Sequence, residues 1–157
     1  MVGLFKMKAF GMKHGATHTE FIKCNDDGKI YFLETASRVG GAHLAEMVEA
    51  ASGVNLWSEW AKIEDSLVKG KGKEYKLPKI NKGFAGIVLT LSKFEHPDLS
   101  GFNDSEVCFR VPLEYHAGLI VKSDNHARVR ELLDDYAERL VRDFATVAQQ
   151  EAVKKLH

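Results

Sequence analysis

The sequence lacks several features that would place it in a specialised class of protein. It has no apolar run of the ~20 residues that a membrane helix needs. Its opening, Met-Val-Gly-Leu-Phe-Lys-Met-Lys, is too short and too basic for a secretory signal. The 22 Lys and Arg residues balance the 22 Asp and Glu residues, so the net positive charge typical of nucleic-acid-binding domains is missing. These absences predict a cytoplasmic protein that binds neither a membrane nor a nucleic acid.

Cysteine is scarce, and no internal repeat is visible. Cys24 and Cys108 are the two cysteines of the chain, and they have no metal-ligand spacing. Their number and positions predict two reduced thiols rather than a disulfide. The 157 residues, 45% hydrophobic and 28% charged, are enough for one globular domain or two small lobes with a core.

The most informative part of the chain is a predicted hairpin that begins near His18. Residues 19–24 and 29–34 favour strands, and the sequence between them, Asn-Asp-Asp-Gly, favours a turn. A three-residue loop, Asp26, Asp27 and Gly28, with Gly28 at positive φ, predicts a definite register. Counting outward from Asn25 opposite Lys29 places three pairs on one face: Ile22 with Phe32, Glu20 with Glu34, and His18 with Ala36.

The predicted pairing of Glu20 with Glu34 is unusual. Directly opposed Cβ atoms lie about 5 Å apart, and like charges at this distance are destabilising. The pair is explained if one acid is protonated or if a hard cation such as Mg²⁺ binds between the two carboxylates. A different loop length would instead place the acids on opposite faces as ordinary surface groups. Both interpretations follow from the pattern.

A basic residue and a glycine pair follow the second acid. Arg38 precedes Gly40 and Gly41, and a helical pattern begins near His43. A fixed cation at a strand-to-helix turn suits an anionic group, because backbone N–H groups and the helix N-terminus can approach it closely. Most glycine pairs, however, only make a tight turn.

The order and spacing of these residues resemble those of a known family. The stretch resembles the C-terminal half of the ATP-grasp ligase domain, as in biotin carboxylase-like and carbamoyl-phosphate-synthase-like enzymes, in the motif His18-Thr-Glu20-Phe, a short turn, and Phe32-Leu-Glu34-x-x-x-Arg38-x-Gly40-Gly41.

The resemblance implies specific roles for these residues. Glu20 and Glu34 would hold the Mg²⁺ or Mn²⁺ of metal-bound ATP, and Arg38 would act in catalysis on the phosphoryl group or the acyl phosphate. Gly40 and Gly41 would belong to the nucleotide-binding site. One position departs from the family, because Ala36 stands where the family usually has a metal-ligating Asn.

The predicted fold class is α+β, an antiparallel sheet with flanking helices. The resemblance implies the C-terminal half of an ATP-grasp domain over residues 1–68 and a small β-sheet lobe with a long C-terminal helix over residues 84–157. The Lys- and Gly-rich residues 69–83 predict a linker or loop.

Periodicity and turn residues predict the remaining elements. Helices are expected over residues 2–13, after Gly41, after a cap at Asn55, and after a cap at Ser123 or Asp124. Strands are expected from Gly83 and over residues 106–113 and 115–121. The patterns predict that Trp57 and Trp60 pack in the core or against a helix, and that residues 114–116 make sheet contacts.

The function implied by the resemblance is an ATP-dependent carboxylate ligase with an acyl-phosphate intermediate. Its substrates would be ATP, a carboxylate, and an amine or other nucleophile. The lysine pair and glycine-rich loop that the family has before the hairpin are absent from residues 1–17, so the chain is expected to be the C-terminal part of a larger ligase and inactive alone. A non-catalytic binding or assembly module derived from the same fold and a stand-alone metal-binding domain are the alternative functions. Association into a homo-oligomer is compatible with each of them.

Overall fold

The computed structural model describes residues 10–146. Most of the helix predicted over residues 2–13 lies outside the described residues. Within them the chain is α+β, as predicted, with three helices and two small antiparallel sheets. The elements, in chain order, are β1 His18–Lys23, β2 Ile30–Ala36, α1 Leu44–Ser52, α2 Leu56–Val68, β3 Phe84–Leu91, β4 Val107–Arg110, β5 His116–Ser123 and α3 His126–Phe144.

The chain divides into two compact units. The first comprises the residues up to Ala45 together with Asn55–Pro78, and the second comprises Glu46–Val54 and the residues from Lys79 onward. Among the described residues, no helix has both the length and the apolar composition to cross a membrane. Cys24 and Cys108 are free thiols.

The hairpin of the first unit corrects the predicted loop. Its loop has four residues rather than three, because the N–H of Cys24 donates to the carbonyl of Lys29 at 2.9 Å. The Asp27 carboxylate stabilises this longer loop by accepting bonds from the Lys29 N–H at 2.9 Å and the Tyr31 hydroxyl at 2.8 Å. Gly28 has φ 67°, as predicted.

A β-bulge compensates for the longer loop. Ile22 lies opposite Tyr31, so its predicted pairing with Phe32 is wrong. The register then shifts by one residue between Glu20 and Phe21, where β2 contains Leu33 as an extra residue. Beyond the bulge the pairs are Glu20 with Glu34 and His18 with Ala36, as predicted.

Helix α2 begins where the sequence indicates but is less buried than expected. The side chain of Asn55 accepts a bond from the Ser58 N–H at 2.8 Å, which confirms the predicted cap. No residue of α2 is fully buried. Trp57 is 52% exposed and stacks on Trp60 with ring centroids 6.1 Å apart, so of the two positions expected for Trp57, the core is excluded.

The second unit contains the larger core. Its sheet has the order β3-β5-β4, and five consecutive residues of the central strand β5 are buried. Helix α3 packs against this sheet through an apolar stripe, as predicted, and the buried cluster includes Leu119, Val121, Leu132, Tyr136 and Leu140.

Two boundaries in the second unit differ from the prediction. The cap of α3 is Asn125, whose side chain accepts a bond from the Ala127 N–H at 2.9 Å, and not Ser123 or Asp124. Ser123 instead accepts a bond from the N–H of Asn125 itself at 3.2 Å. The strand expected over residues 106–113 is shorter and comprises Val107–Arg110, after which a hydrogen bond from the Val111 N–H to the Gly118 carbonyl at 3.0 Å continues the contact with β5.

Candidate functional site

The hairpin brings two predicted site residues together. Glu20 and Glu34 are direct partners in the β1–β2 ladder, and directly opposed residues of an antiparallel pair project from the same face. Nε2 of His18 lies 2.9 Å from Oε1 of Glu20. An imidazole N–H at this position would donate to the carboxylate oxygen. The site therefore begins with two facing acids, one of which is held by an imidazole.

The same histidine explains the glycine at position 40. A methyl group on Gly40 would lie 2.9 Å from Nδ1 of His18 and 3.3 Å from Cβ of Leu44. The backbone at this position is thus closely covered by the imidazole that holds Glu20. His18 thus contacts both Glu20 and Gly40; the sequence interpretation placed it on the correct face but gave it no role.

The turn after β2 contains Arg38, the predicted basic residue of the site. Arg38 is exposed, and its Nη1 donates to the carbonyl of Val39 at 3.1 Å. Val39 itself is 2% exposed, and its burial anchors the turn. The guanidinium has further donors available for an anion. Ala42 and His43 follow at φ 51° and 60°, a left-handed conformation that is costly for residues other than glycine.

A cavity of about 600 Å³ adjoins the second acid. Phe10, Met12 and Phe32 contribute apolar walls, while Glu34 and Ser37 line the cavity as polar groups. Cavities with mostly apolar walls and a few polar groups are typical of small-molecule sites. The cavity and the facing acids share Glu34.

The predicted metal ligands form a pair and not a larger cluster. In the described part of the chain, the group whose donor atoms all lie within 4.8 Å of one another consists of Glu95, His96 and Glu114. His18, Glu20 and Glu34 do not converge to that degree. The sequence interpretation missed the second group, because it assigned Glu114 to sheet contacts and gave Glu95 and His96 no role.

Comparisons with known proteins show a distant similarity at the level of structure. No protein-family model matches the chain, and no curated protein matches it. Among solved structures, the chain is similar to phosphoribosylglycinamide synthetase from Anaerococcus prevotii, with a TM-score of 0.47 and 20% sequence identity. The similarity covers 82% of this chain and 36% of that chain. The chain thus spans about a third of that synthetase, and so distant a similarity does not assign it an activity.

Proposed function

We propose that this chain is the C-terminal portion of an ATP-dependent carboxylate ligase of the ATP-grasp type. The observation that carries the proposal is the direct pairing of Glu20 with Glu34, followed by Arg38 and the glycine pair in the order of that family. A ladder does not favour two opposed carboxylates by themselves. The presence of two carboxylates as direct ladder partners is explained if both bind one cation.

The donor set fits a divalent magnesium ion. Carboxylate oxygens are its preferred protein ligands, and Mg²⁺ commonly uses one or two carboxylates, with phosphate oxygens and water in the remaining positions. Glu20 and Glu34 would supply the two carboxylates, and Ala36 supplies none. A bound Mg²⁺ would neutralise charge on the phosphates of ATP.

His18 would keep the first acid in place for this role. Its bond to Oε1 of Glu20 uses one acceptor position of the carboxylate, which has about four lone-pair sites in all. The remaining sites stay available to a cation. Gly40 leaves room for the imidazole. His18 therefore contacts both the glycine turn and the acid.

Arg38 and the following turn would bind the phosphoryl group. In the proposed reaction an oxygen of the substrate carboxylate attacks the γ-phosphorus of ATP, the bond to ADP breaks, and an acyl phosphate forms. A nucleophile then attacks the acyl carbon and phosphate leaves. The exposed Arg38 guanidinium would stabilise charge on the transferred group through paired N–H donors, with the backbone of Gly40 and Gly41 close by.

The acyl phosphate provides a direct test. The complete gene product that contains this chain is incubated with Mg²⁺, ATP, hydroxylamine and a panel of carboxylates, and hydroxamate is measured, because hydroxylamine traps acyl phosphates. We expect ATP-dependent hydroxamate with one class of carboxylate. Arg38→Met should lower its rate by about 100-fold or more, the loss typical for removal of a group that stabilises transition-state charge.

Glu138→Gln is the matched control, because Glu138 is an exposed residue of α3. It should keep the full rate. Absence of ATP-dependent hydroxamate across the panel, or an undiminished rate in Arg38→Met, would contradict the proposal.

A second candidate is a non-catalytic binding module derived from the same fold. The observation that favours it is Ala36, which has no ligand atom where the family usually has Asn. This candidate predicts a gene product that forms no hydroxamate under any of the conditions above.

A further inference from the structure

A second group of side chains with metal-ligand atoms belongs to the second unit, whereas the facing acids belong to the first. The carboxylates of Glu95 and Glu114 and the imidazole of His96 each offer a donor atom, and these atoms all lie within 4.8 Å of one another. We propose that these three residues form a binding site for a transition-metal ion, for which Zn²⁺ is the best fit. The proposal does not depend on the ligase chemistry.

Backbone hydrogen bonds hold together the two segments that carry the ligands. The N–H of Tyr115 donates to the carbonyl of Glu95 at 2.9 Å, and the N–H of Ser92 donates to the carbonyl of Tyr115 at 2.7 Å. Nδ1 of His116 bonds the carbonyl of Glu114 at 2.8 Å. The segment after β3 and the segment before β5 are therefore already joined, and metal binding needs only side-chain movement.

The charges in this group favour a cation. Two carboxylates lie close together, and in the part of the chain that the structure describes neither forms an ion pair with a lysine or arginine. The nearest lysine in sequence, Lys93, has its Nζ over the Phe94 ring, 5.1 Å from the centroid. A divalent ion would relieve the repulsion between Glu95 and Glu114.

The donor types select the metal. Imidazole with carboxylates suits Zn²⁺ and related transition metals, whereas Mg²⁺ prefers oxygen ligands alone. In a tetrahedral zinc site each donor lies about 2.0–2.2 Å from the metal, so the donors lie ~3.4 Å apart. All three side chains are exposed and can reach this separation by small rotations. Water would occupy the fourth position.

Zinc titration of the 157-residue chain against a chromophoric chelator tests the site. We expect one zinc ion per chain, bound saturably and without competition from Mg²⁺. His96→Ala and Glu114→Gln should each weaken zinc binding by about tenfold or more, since even partners of ligands account for 10–100-fold. His14→Ala and Glu138→Gln, which alter exposed residues elsewhere, should bind zinc as the unmodified chain does.

A second measurement does not depend on the variants folding. Zinc should shift the ring proton resonances of His96 in the unmodified chain and raise its melting temperature, because binding to the folded state alone stabilises it. Lack of saturable zinc binding, unshifted His96 resonances, or equal affinity in His96→Ala would each overturn the proposal.

Discussion

Replacement of Glu34 by glutamine removes one of two facing charges while nearly preserving shape. Like charges directly opposed in a ladder are destabilising, within a range of roughly 0.2–1 kcal/mol. The Glu20 side chain is 43% exposed and bonded to His18, so solvent screening places the effect at about 0.2–0.5 kcal/mol. For a chain of this size about 1 kcal/mol corresponds to ~2–4 °C. The metal-free variant should therefore melt at the same temperature or up to ~2 °C higher.

The rise in melting temperature on ligand binding should differ much more between Glu34→Gln and the unmodified protein. Binding to the folded state alone stabilises by about 2.7 kcal/mol when free ligand is 100 times Kd, which corresponds to a rise of roughly 5–11 °C for a protein of about 150–250 residues and to a smaller rise for a longer gene product. Glu34→Gln should lose most of this rise with Mg²⁺ and ATP. Its hydroxamate rate should fall by ~100-fold or more, because a bound metal contributes several kcal/mol to transition-state stabilisation.

Melting curves with and without Mg²⁺ and ATP, recorded beside the hydroxamate assay, check both expectations. Glu138→Gln serves as the control and should behave as the unmodified protein does. A large drop in the metal-free melting temperature of Glu34→Gln would show that Glu34 is a structural acid. Undiminished activity would refute its assignment as a metal ligand.

Two predictions concern the second unit. Burial and a hydrogen bond to Asp104 raise the pKa of Tyr136 to about 12; the stability this contributes is complete below the unfolded pKa of 10 and is lost as pH rises through 12. Tyr136→Phe should remove this loss of stability at alkaline pH, which urea unfolding at pH 8–12 would measure. It should also lower the free energy of unfolding at pH 8 by about 1–2 kcal/mol, because the Tyr136 hydroxyl donates to the Asp104 carboxylate. A methyl group on Gly118 would lie 3.0 Å from the carbonyl oxygen of Val88, so Gly118→Ala should lose about 1–3 kcal/mol. Gly101→Ala, with nothing within 4 Å, should stay within about 0.5 kcal/mol; equal stability of the two variants would contradict this account.

Local signals in the sequence were sufficient for most of the helices and strands, but the facing acids were predicted correctly from an incorrect loop. Asn55 caps its helix, Gly28 takes positive φ, and the stripe of α3 contains Tyr136 in the core, because caps, turns and amphipathic faces depend on residues close in sequence. Glu20 pairs with Glu34 as predicted, but through a four-residue loop and a compensating bulge. The pairing was correct although the assumed loop was not.

The tertiary structure determined which residues from separate segments lie together, which local sequence patterns do not specify. The bulge at Leu33 restores the register that places both acids on one face, and a bulge depends on the partner strand as well as its own sequence. His18 acquires its role by packing against Gly40, a contact between segments that the sequence separates. Likewise, Glu114 meets His96 only because backbone bonds join the segments around β3 and β5. The sequence by itself determined which residues can bind a cation or an anion, and three-dimensional pairing determined which of them lie together, because convergence of side chains depends on contacts between distant segments.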